Sequence, residues 1–236
     1  MSLKLLQACN AGMRLMRDPL HVPTVARFLD AVMDTDLMRG LYAQMLGALD
    51  PEDLLHLREL TYQPLDLRKM SRLPGNTFGH QFYAFSQRNG FTRSTVESQI
   101  EAYPPIAHLL EKDWVFRRFV KIHDLEHVLT DFVTDPPAEM GLQVFNYRNY
   151  REPFGLSALA LMPLSVMRYG QAADMVAEVT RGWWLGKRAL NVFSAPLEDW
   201  LEDDLDVVRE RLNLDVEQAG YHGIRRAPRL ARAAAG

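Results

Sequence analysis

The sequence predicts an all-α fold: a single domain over residues 1–236, a bundle of mostly amphipathic and buried helices with no required sheet. Apolar residues recur at three- and four-residue spacing along most of the chain, the period of a helix with one buried side. No segment alternates apolar and polar residues between hairpin signals, as a half-buried strand would. Helix starts and stops, among them Asp50-Pro51, Asn89-Gly90 and Pro136-Pro137, punctuate the pattern. With 47% apolar and 24% charged residues in 236 positions, the chain has the makings of a substantial core rather than of disorder.

Taken in order, Leu3 to Met16 fits a helix with Leu5, Met13 and Leu15 on its apolar side, and Val22 to Met33 follows with Val25, Phe28, Leu29 and Val32. The basic, acid-free stretch Met1 to Arg17 could be a transit peptide, but it runs on without a cleavage-like break and is read as a helix. Leu37 to Leu46 continues the pattern. Asp50-Pro-Glu-Asp53 combines a capping aspartate, a first-turn proline and acids at the positive helix end, so a helix holding Leu54, Leu55, Leu57 and Leu60 opens there. Residues 64–76 carry Pro64, Pro74 and Gly75 and are read as a connection. Aromatic-rich Phe78 to Gln87 closes on Asn89-Gly90.

Pro104-Pro105 opens what is read as one long helix through Trp114 to about Thr134. Pro136 biases Asp135 away from helix, which forces a turn, and the double proline suits the first turn of a new helix with Glu139 near its start. Residues 155–191 read as long apolar helix interrupted around Pro163. Ser194 and Pro196 open a last helix striped by Trp200, Leu201, Leu205, Val208 and Leu212, and the basic, alanine-rich end from Arg225 to Gly236 is expected to fray.

Composition excludes several function classes. A formal net charge of −3 offers no electrostatic case for nucleic acid. The single cysteine, Cys9, can neither close an internal disulfide nor build a cysteine-rich zinc site. The longest apolar run, Phe154 to Met167, falls short of the roughly 20 residues of a membrane span and contains Pro163.

One stretch carries chemistry: His123, Asp124, Glu126 and His127 lie within five residues, and Glu139 follows just past the double proline. Histidines four apart on a helix are separated by about 40° and about 6 Å, so both can reach one ion. The helix is apolar nearly all round, which marks it as buried and makes its charges costly unless they are paired, hydrogen-bonded or metal-bound. An isolated His-x-x-x-His pair is more often two hydrogen-bonded core histidines. Here the intervening acids and the acid beyond the turn favour a metal site. Asp124 and Glu126 flank the histidines at nearly equal angles, so the helical wheel alone does not choose the third ligand. Glu126 points into the apolar arc and is expected to have a partner of its own.

Two named patterns fit these residues. His123-Asp-Leu-Glu126-His127 matches the inverted zinc-peptidase motif, in which Glu126 would be the general base and Glu178, Glu198 or Glu202 a downstream ligand. The longer pattern is His123-Asp124-x-x-His127, eleven residues, then Glu139. It resembles the signature of the ubiquinone (coenzyme Q) biosynthesis protein family numbered fourth among the coenzyme Q proteins. Two further blocks in the family's order support it. Arg72-Leu-Pro-Gly-Asn-Thr-Phe-Gly-His-Gln-Phe-Tyr-Ala-Phe85 is similar to the family's Leu-Pro-x-x-Ser-x-Gly-x-x-Tyr-x-x-Phe segment, and Ala189-Leu-Asn-Val-Phe193 to its C-terminal region. The resemblance covers roughly residues 20 to 215. The chain departs from it at Asn76-Thr77, where Gly-Ser is usual, and at Ser194-Ala-Pro, where a tyrosine and basic residues are common.

The resemblance implies an all-helical, metal-binding, peripheral membrane protein that binds a polyprenylated precursor and supports its oxidative decarboxylation. The alternatives it leaves are a non-enzymatic lipid-binding scaffold of the ubiquinone-synthesis complex and, more weakly, the peptidase. It makes His123, Asp124, His127 and Glu139 the metal ligands and assigns no catalytic residue beyond them. Two imidazoles with carboxylates suit zinc first, with iron, magnesium or manganese as alternatives. The implied partners are an isoprenoid or polyprenyl lipid, other ubiquinone-synthesis proteins, a membrane surface and a second copy in a homodimer. The implied location is the cytoplasmic face of a bacterial inner membrane or the matrix face of the mitochondrial one. The Phe154–Met167 run and Trp183-Trp184 could line a groove for the isoprenoid tail, and Arg117, Arg118 and Lys121 could attract an anionic head group.

Overall fold

The computed structural model describes residues 49–91, 104–152 and 170–222 continuously, with isolated positions between 36 and 46 and between 155 and 167. The helices expected over Leu3–Met16 and Val22–Met33, most of the Phe154–Met167 run and the basic end after Arg225 lie outside the described residues. Among the described residues the fold is helical throughout, with one isolated bridge between Thr77 and Asp204 and no strand.

Helix α1, Pro51–Tyr62, starts as its sequence dictates: the Asp50 side chain accepts from the Glu52 amide, and Glu52 and Asp53 occupy the first turn. Where a plain connection was expected, a single turn forms, α2 (Leu67–Met70). The Asp66 carboxylate accepts from two amides there, those of Arg68 and Lys69. Helix α3, Phe78–Arg88, is capped by Thr77 and stops at Asn89, after which Gly90 takes the left-handed conformation (φ 72°).

The long helix expected from Pro104 to about Thr134 is instead two helices, α4 (Pro104–Lys112) and α5 (Trp114–Thr130). Asp113 breaks it by turning its carboxylate onto the amides of Val115 and Phe116, which caps a new helix. At the far end Asp131 turns left-handed (φ 58°) and ends the helix before Thr134. Helix α6, Pro136–Tyr150, then opens on the double proline with Asp135 as its cap.

Helix α7, Ala172–Arg188, runs parallel to α6 in near backbone contact. Glycines permit this approach: a Cβ at Gly182 would sit 2.0 Å from the Gly141 carbonyl oxygen, and one at Gly186 would sit 2.7 Å from that of Phe145. The single last helix expected from Ser194 is also divided, into a 3₁₀ turn (Leu197–Trp200), α8 (Leu205–Arg211) and α9 (Val216–His222). Asp204 makes the division, capping α8 and pairing with Thr77.

Helix α5 is the axis of the core. Thirteen of its seventeen residues are buried, and Phe119, Ile122, Leu125 and Leu129 join one apolar cluster with Phe78, Phe82, Phe145 and Phe193. Burial this complete corrects the expectation that Arg118 and Lys121 attract a head group, because both point inward. Arg118, with no exposed surface, donates to the carbonyls of Phe193 (2.8 Å) and Ala195 (2.6 Å) and to Glu198 (3.2 Å). Lys121 donates to the carbonyls of Leu60 and Gln63 and pairs with Glu198 at 3.0 Å. Arg117 lays its guanidinium over the Tyr62 ring, 5.1 Å from its centre. Together these cations join α5 to the end of α1 and to the 3₁₀ turn.

Burial pushes the Glu198 carboxyl up, but Arg118 and Lys121 outweigh it and hold it below the ordinary value. A depressed carboxyl contributes stability above its unfolded value, about 4.3, and loses it as pH falls through the folded one. Glu198→Gln is therefore expected to cost about 3–5 kcal/mol in urea unfolding at neutral pH. The difference from the parent protein should shrink once the pH is below about 4. Gly182→Ala should cost about 1–3 kcal/mol by the same measurement, while Gly75→Ala, which meets nothing within 4 Å, should be near neutral.

Candidate metal centre

The site forms where the last turns of α5 meet the first turn of α6. Helical spacing brings His123 and His127 to one side of α5, their ring centres 4.9 Å apart and nearly perpendicular (78°). The chain reverses through Asp131–Asp135, and the capped start of α6 delivers Glu139 to both rings. Glu139 Oε2 lies 3.5 Å from His123 Nε2, and Oε1 lies 3.2 Å from His127 Nε2. One ligand atom from each of His123, His127 and Glu139 lies within 4.8 Å of the others, close enough to hold one metal ion.

The outer nitrogens of both rings are engaged elsewhere. His127 Nδ1 lies 3.0 Å from the Phe132 carbonyl, and since a carbonyl can only accept, this nitrogen carries the proton. When the ring is neutral its Nε2 is then a bare lone pair; it is buried and without a hydrogen bond although it faces a carboxylate. Two acceptors face to face across 3.2 Å repel each other, and a proton or a metal cation placed between them removes the repulsion. His123 Nδ1 meets Asp124 Oδ1 at 3.3 Å, which directs its Nε2 to Glu139 as well. This is how ligating histidines are oriented, by a carboxylate or carbonyl on the far nitrogen. The donor set thus fits a divalent metal.

The same place favours positive charge, whether carried by protons on the rings or by an ion. Burial raises the Glu139 carboxyl, but the two imidazoles outweigh it and hold it well below the carboxylate range. Burial lowers His123, but Asp124 and Glu139 outweigh it and hold it well above the usual imidazole value. An acid in the first turn of α6 also faces the positive end of that helix.

Of the four residues singled out by sequence, His123, His127 and Glu139 converge, and Asp124 stands behind His123 with its other oxygen, Oδ2, buried and unbonded. Glu126 turns away from the centre into α6. It accepts from Tyr150 Oη (2.8 Å) and Asn146 Nδ2 (2.9 Å) and has no exposed surface. Burial pushes its carboxyl up to about 7 against the pull of the imidazoles and these two donors. The partner expected of Glu126 is thus found, and the peptidase arrangement is not. Its general base is tied up on another helix, and its three candidate ligands pair with cations instead: Glu178 with Arg181, Glu198 with Arg118, Glu202 with Lys69.

Several supports had no sequence signal. Arg209 of α8 donates to the carbonyls of Val128 and Leu129 (both 3.0 Å), and Arg181 of α7 to those of Thr130 and Asp131. Two distant arginines so satisfy the open carbonyl end of α5, which an ordinary helix leaves to water. Phe85 stacks on His127, ring centres 5.3 Å apart. Beside that ring lies a cavity of about 200 Å³, floored by Phe85, Val128, Phe132 and Leu205 and rimmed by Gln81, Arg88 and Asn89. It is smaller than typical ligand pockets and has room for a ring-sized group.

Comparison with known proteins decides the family. The profile described as "Coenzyme Q (ubiquinone) biosynthesis protein Coq4" matches residues 2–218. The chain belongs to this family. It is 26% identical to the ubiquinone biosynthesis protein coq4, mitochondrial, of Pyrenophora tritici-repentis, over 95% of this chain and 76% of that one. It is 27% identical to the COQ4 homolog, mitochondrial, of Danio rerio, over 90% of this chain and 76% of that one. A solved chain from Nostoc punctiforme PCC 73102, described as a candidate ubiquinone biosynthesis protein, superposes with a TM-score of 0.69. It covers 87% of this chain and 96% of its own length at 18% identity, a likeness of fold. The Coq4 profile and the convergent triad thus rest on the same chain segment.

Tyr150→Phe is expected to cost about 1–3 kcal/mol in chemical denaturation, because it strips a donor from a buried carboxylate. Arg209→Met should cost a similar amount by exposing two helix-end carbonyls to an apolar neighbour.

Proposed function

We propose that this chain is a metal-dependent, peripheral membrane protein of ubiquinone biosynthesis that binds a polyprenylated hydroxybenzoate precursor and supports its oxidative decarboxylation. The observation that carries the reading is the buried, unbonded Nε2 of His127 facing Glu139 beside His123, in a chain of the Coq4 family.

In this reading His123, His127 and Glu139 hold the ion. Asp124, a ligand on the family resemblance, is given the orienting place behind His123, from which Oδ2 can also turn inward. Two imidazoles and one carboxylate suit zinc or iron(II), with magnesium and manganese less favoured by the nitrogen donors. The bound metal would supply Lewis acidity or oxygen activation toward the ring oxygens and carboxylate. The chain's own residues do the rest. Phe132 and Asp124 fix the two imidazoles, Phe85 closes one face of His127, and the adjoining cavity offers an apolar floor to a ring with Arg88 at its rim. The polyprenyl tail needs a longer groove than this cavity.

No helix among the described residues is long and apolar enough to cross a membrane, which agrees with peripheral attachment. The fungal and fish relatives carry mitochondrial names, in keeping with the matrix face; the cytoplasmic face of a bacterial inner membrane is the alternative. Other ubiquinone-synthesis proteins and a second copy of the chain are the protein partners of this reading. A non-enzymatic scaffold is the second reading, and one observation favours it: Glu126, the remaining acid of the motif, is bound to Tyr150 and Asn146 and is not free to act as a base.

Metal analysis by mass spectrometry is expected to give one ion per chain, lost in His127→Ala and Glu139→Gln. Asp124→Asn should weaken binding about 10–100-fold without abolishing it. Incubated with metal, dioxygen and a prenylated hydroxybenzoate, the purified protein should release carbon dioxide and leave a ring hydroxyl in place of the carboxylate, with one water consumed and dioxygen taking up the two electrons as hydrogen peroxide. Equal turnover by His127→Ala would contradict the metal's part in it, and no turnover by the intact, metal-loaded protein would favour the scaffold.

A further inference from the structure

One face of α7 is unlike the rest of this acidic chain. Its inner side is pressed on α6 through Gly182 and Gly186, with Met175 and Leu185 buried. Its outer side exposes two alanines, then Val176, Thr180, Trp183, Lys187 and Arg188, and the stripe continues past the helix end to Leu190. No acid occupies an exposed position from Ala172 to Leu190, although the chain carries 30 acids against 27 lysines and arginines. Val176 is 53% exposed, Trp183 46% and Leu190 59%, so this apolar surface faces water at a cost.

Cations and aromatic rings gather at the end of the same face. Because α6 and α7 run parallel, their C-terminal turns lie side by side, which places Arg148 and Arg151 near Lys187 and Arg188. Arg148 lies over the Trp183 ring (5.2 Å to its centre), Arg188 over Trp184 (4.0 Å) and Arg151 over Tyr147 (5.7 Å). Among the described residues none of these four cations is paired with a carboxylate, and Arg148 Nε is buried without a hydrogen bond.

We propose that the outer face of α7, with the basic-aromatic cluster at its C-terminal end, is the surface by which this chain docks on an anionic lipid bilayer. The inference rests on the peripheral-membrane part of the reading above and adds the face that makes the contact. Tryptophan and tyrosine prefer the head-group layer, where an apolar body and a polar edge are both satisfied. Unpaired arginine and lysine are drawn to anionic head groups, and an acid-free apolar stripe can lie in the plane of the interface. An uncharged surface would leave the four cations without counter-charges.

The test is sedimentation of the full chain with vesicles of phosphatidylcholine containing about one-third phosphatidylglycerol, against phosphatidylcholine alone. The chain is expected to bind the anionic vesicles, to bind the neutral ones far less, and to be released by salt. Lys187→Gln with Arg188→Gln should weaken binding roughly 25-fold, about fivefold for each charge. Trp183→Ser should weaken it separately, with circular dichroism unchanged in both. Wild-type affinity in both variants would overturn the assignment, as would failure of the parent protein to bind. So would light scattering that shows a dimer which these variants dissociate, since a second copy would then cover the face. Metal content in the same samples keeps the two readings apart. Variants that lose vesicles but keep metal leave the metal centre standing, and His127→Ala should lose metal but keep vesicles.

Discussion

The structure depends on the cost of burying charge along α5. Apolar side chains put this helix at the centre of the core, yet it carries Arg118, Lys121, Asp124, Glu126 and His127 into the same interior. Arg118, Lys121 and Glu126 are offset by partners from other elements, since an unpaired buried charge is worth several kcal/mol against folding. Arg118 and Lys121 take Glu198 and four carbonyls on two segments, the end of α1 and the loop of residues 193–195; Glu126 takes Tyr150 and Asn146. These contacts fix where α1, α6 and the 3₁₀ turn must lie.

The same requirement explains the metal centre. Three side chains of α5 keep a buried atom without a hydrogen bond: Arg117 at Nε, and at the site Asp124 at Oδ2 and His127 at Nε2. The terminal carbonyls of the helix are met, by Arg181 and Arg209. A helix held so firmly at its end presents both histidines in a fixed register. The turn at Asp131, followed by the Asp135 cap and double proline, then sets Glu139 opposite them. Rigidity of this kind is what a preorganised ion site needs.

Local chemistry made much of this legible in sequence. The caps at Asp50 and Asp135, the stop at Asn89-Gly90 and the partner required by Glu126 all follow from rules that act within a few residues. The same rules act at Asp113 and Asp204, where a capping carboxylate splits a helix that apolar periodicity alone joins. Contacts across the chain were beyond reach. Nothing near Arg118 or Lys121 announced that Glu198, about 80 residues on, would draw them inward, and nothing near Arg209 announced the carbonyls of Val128 and Leu129. The wheel left Asp124 and Glu126 equivalent beside the histidines, and only the position of α6 separates them.

Anomalous diffraction from crystals of the purified protein, at the absorption edge of the metal it carries, tests the central claim most directly. The account predicts one peak enclosed by Nε2 of His123, Nε2 of His127 and the Glu139 carboxylate, with Glu126 still bonded to Tyr150. A peak at another place would contradict it, and so would metal-free crystals of the untreated protein.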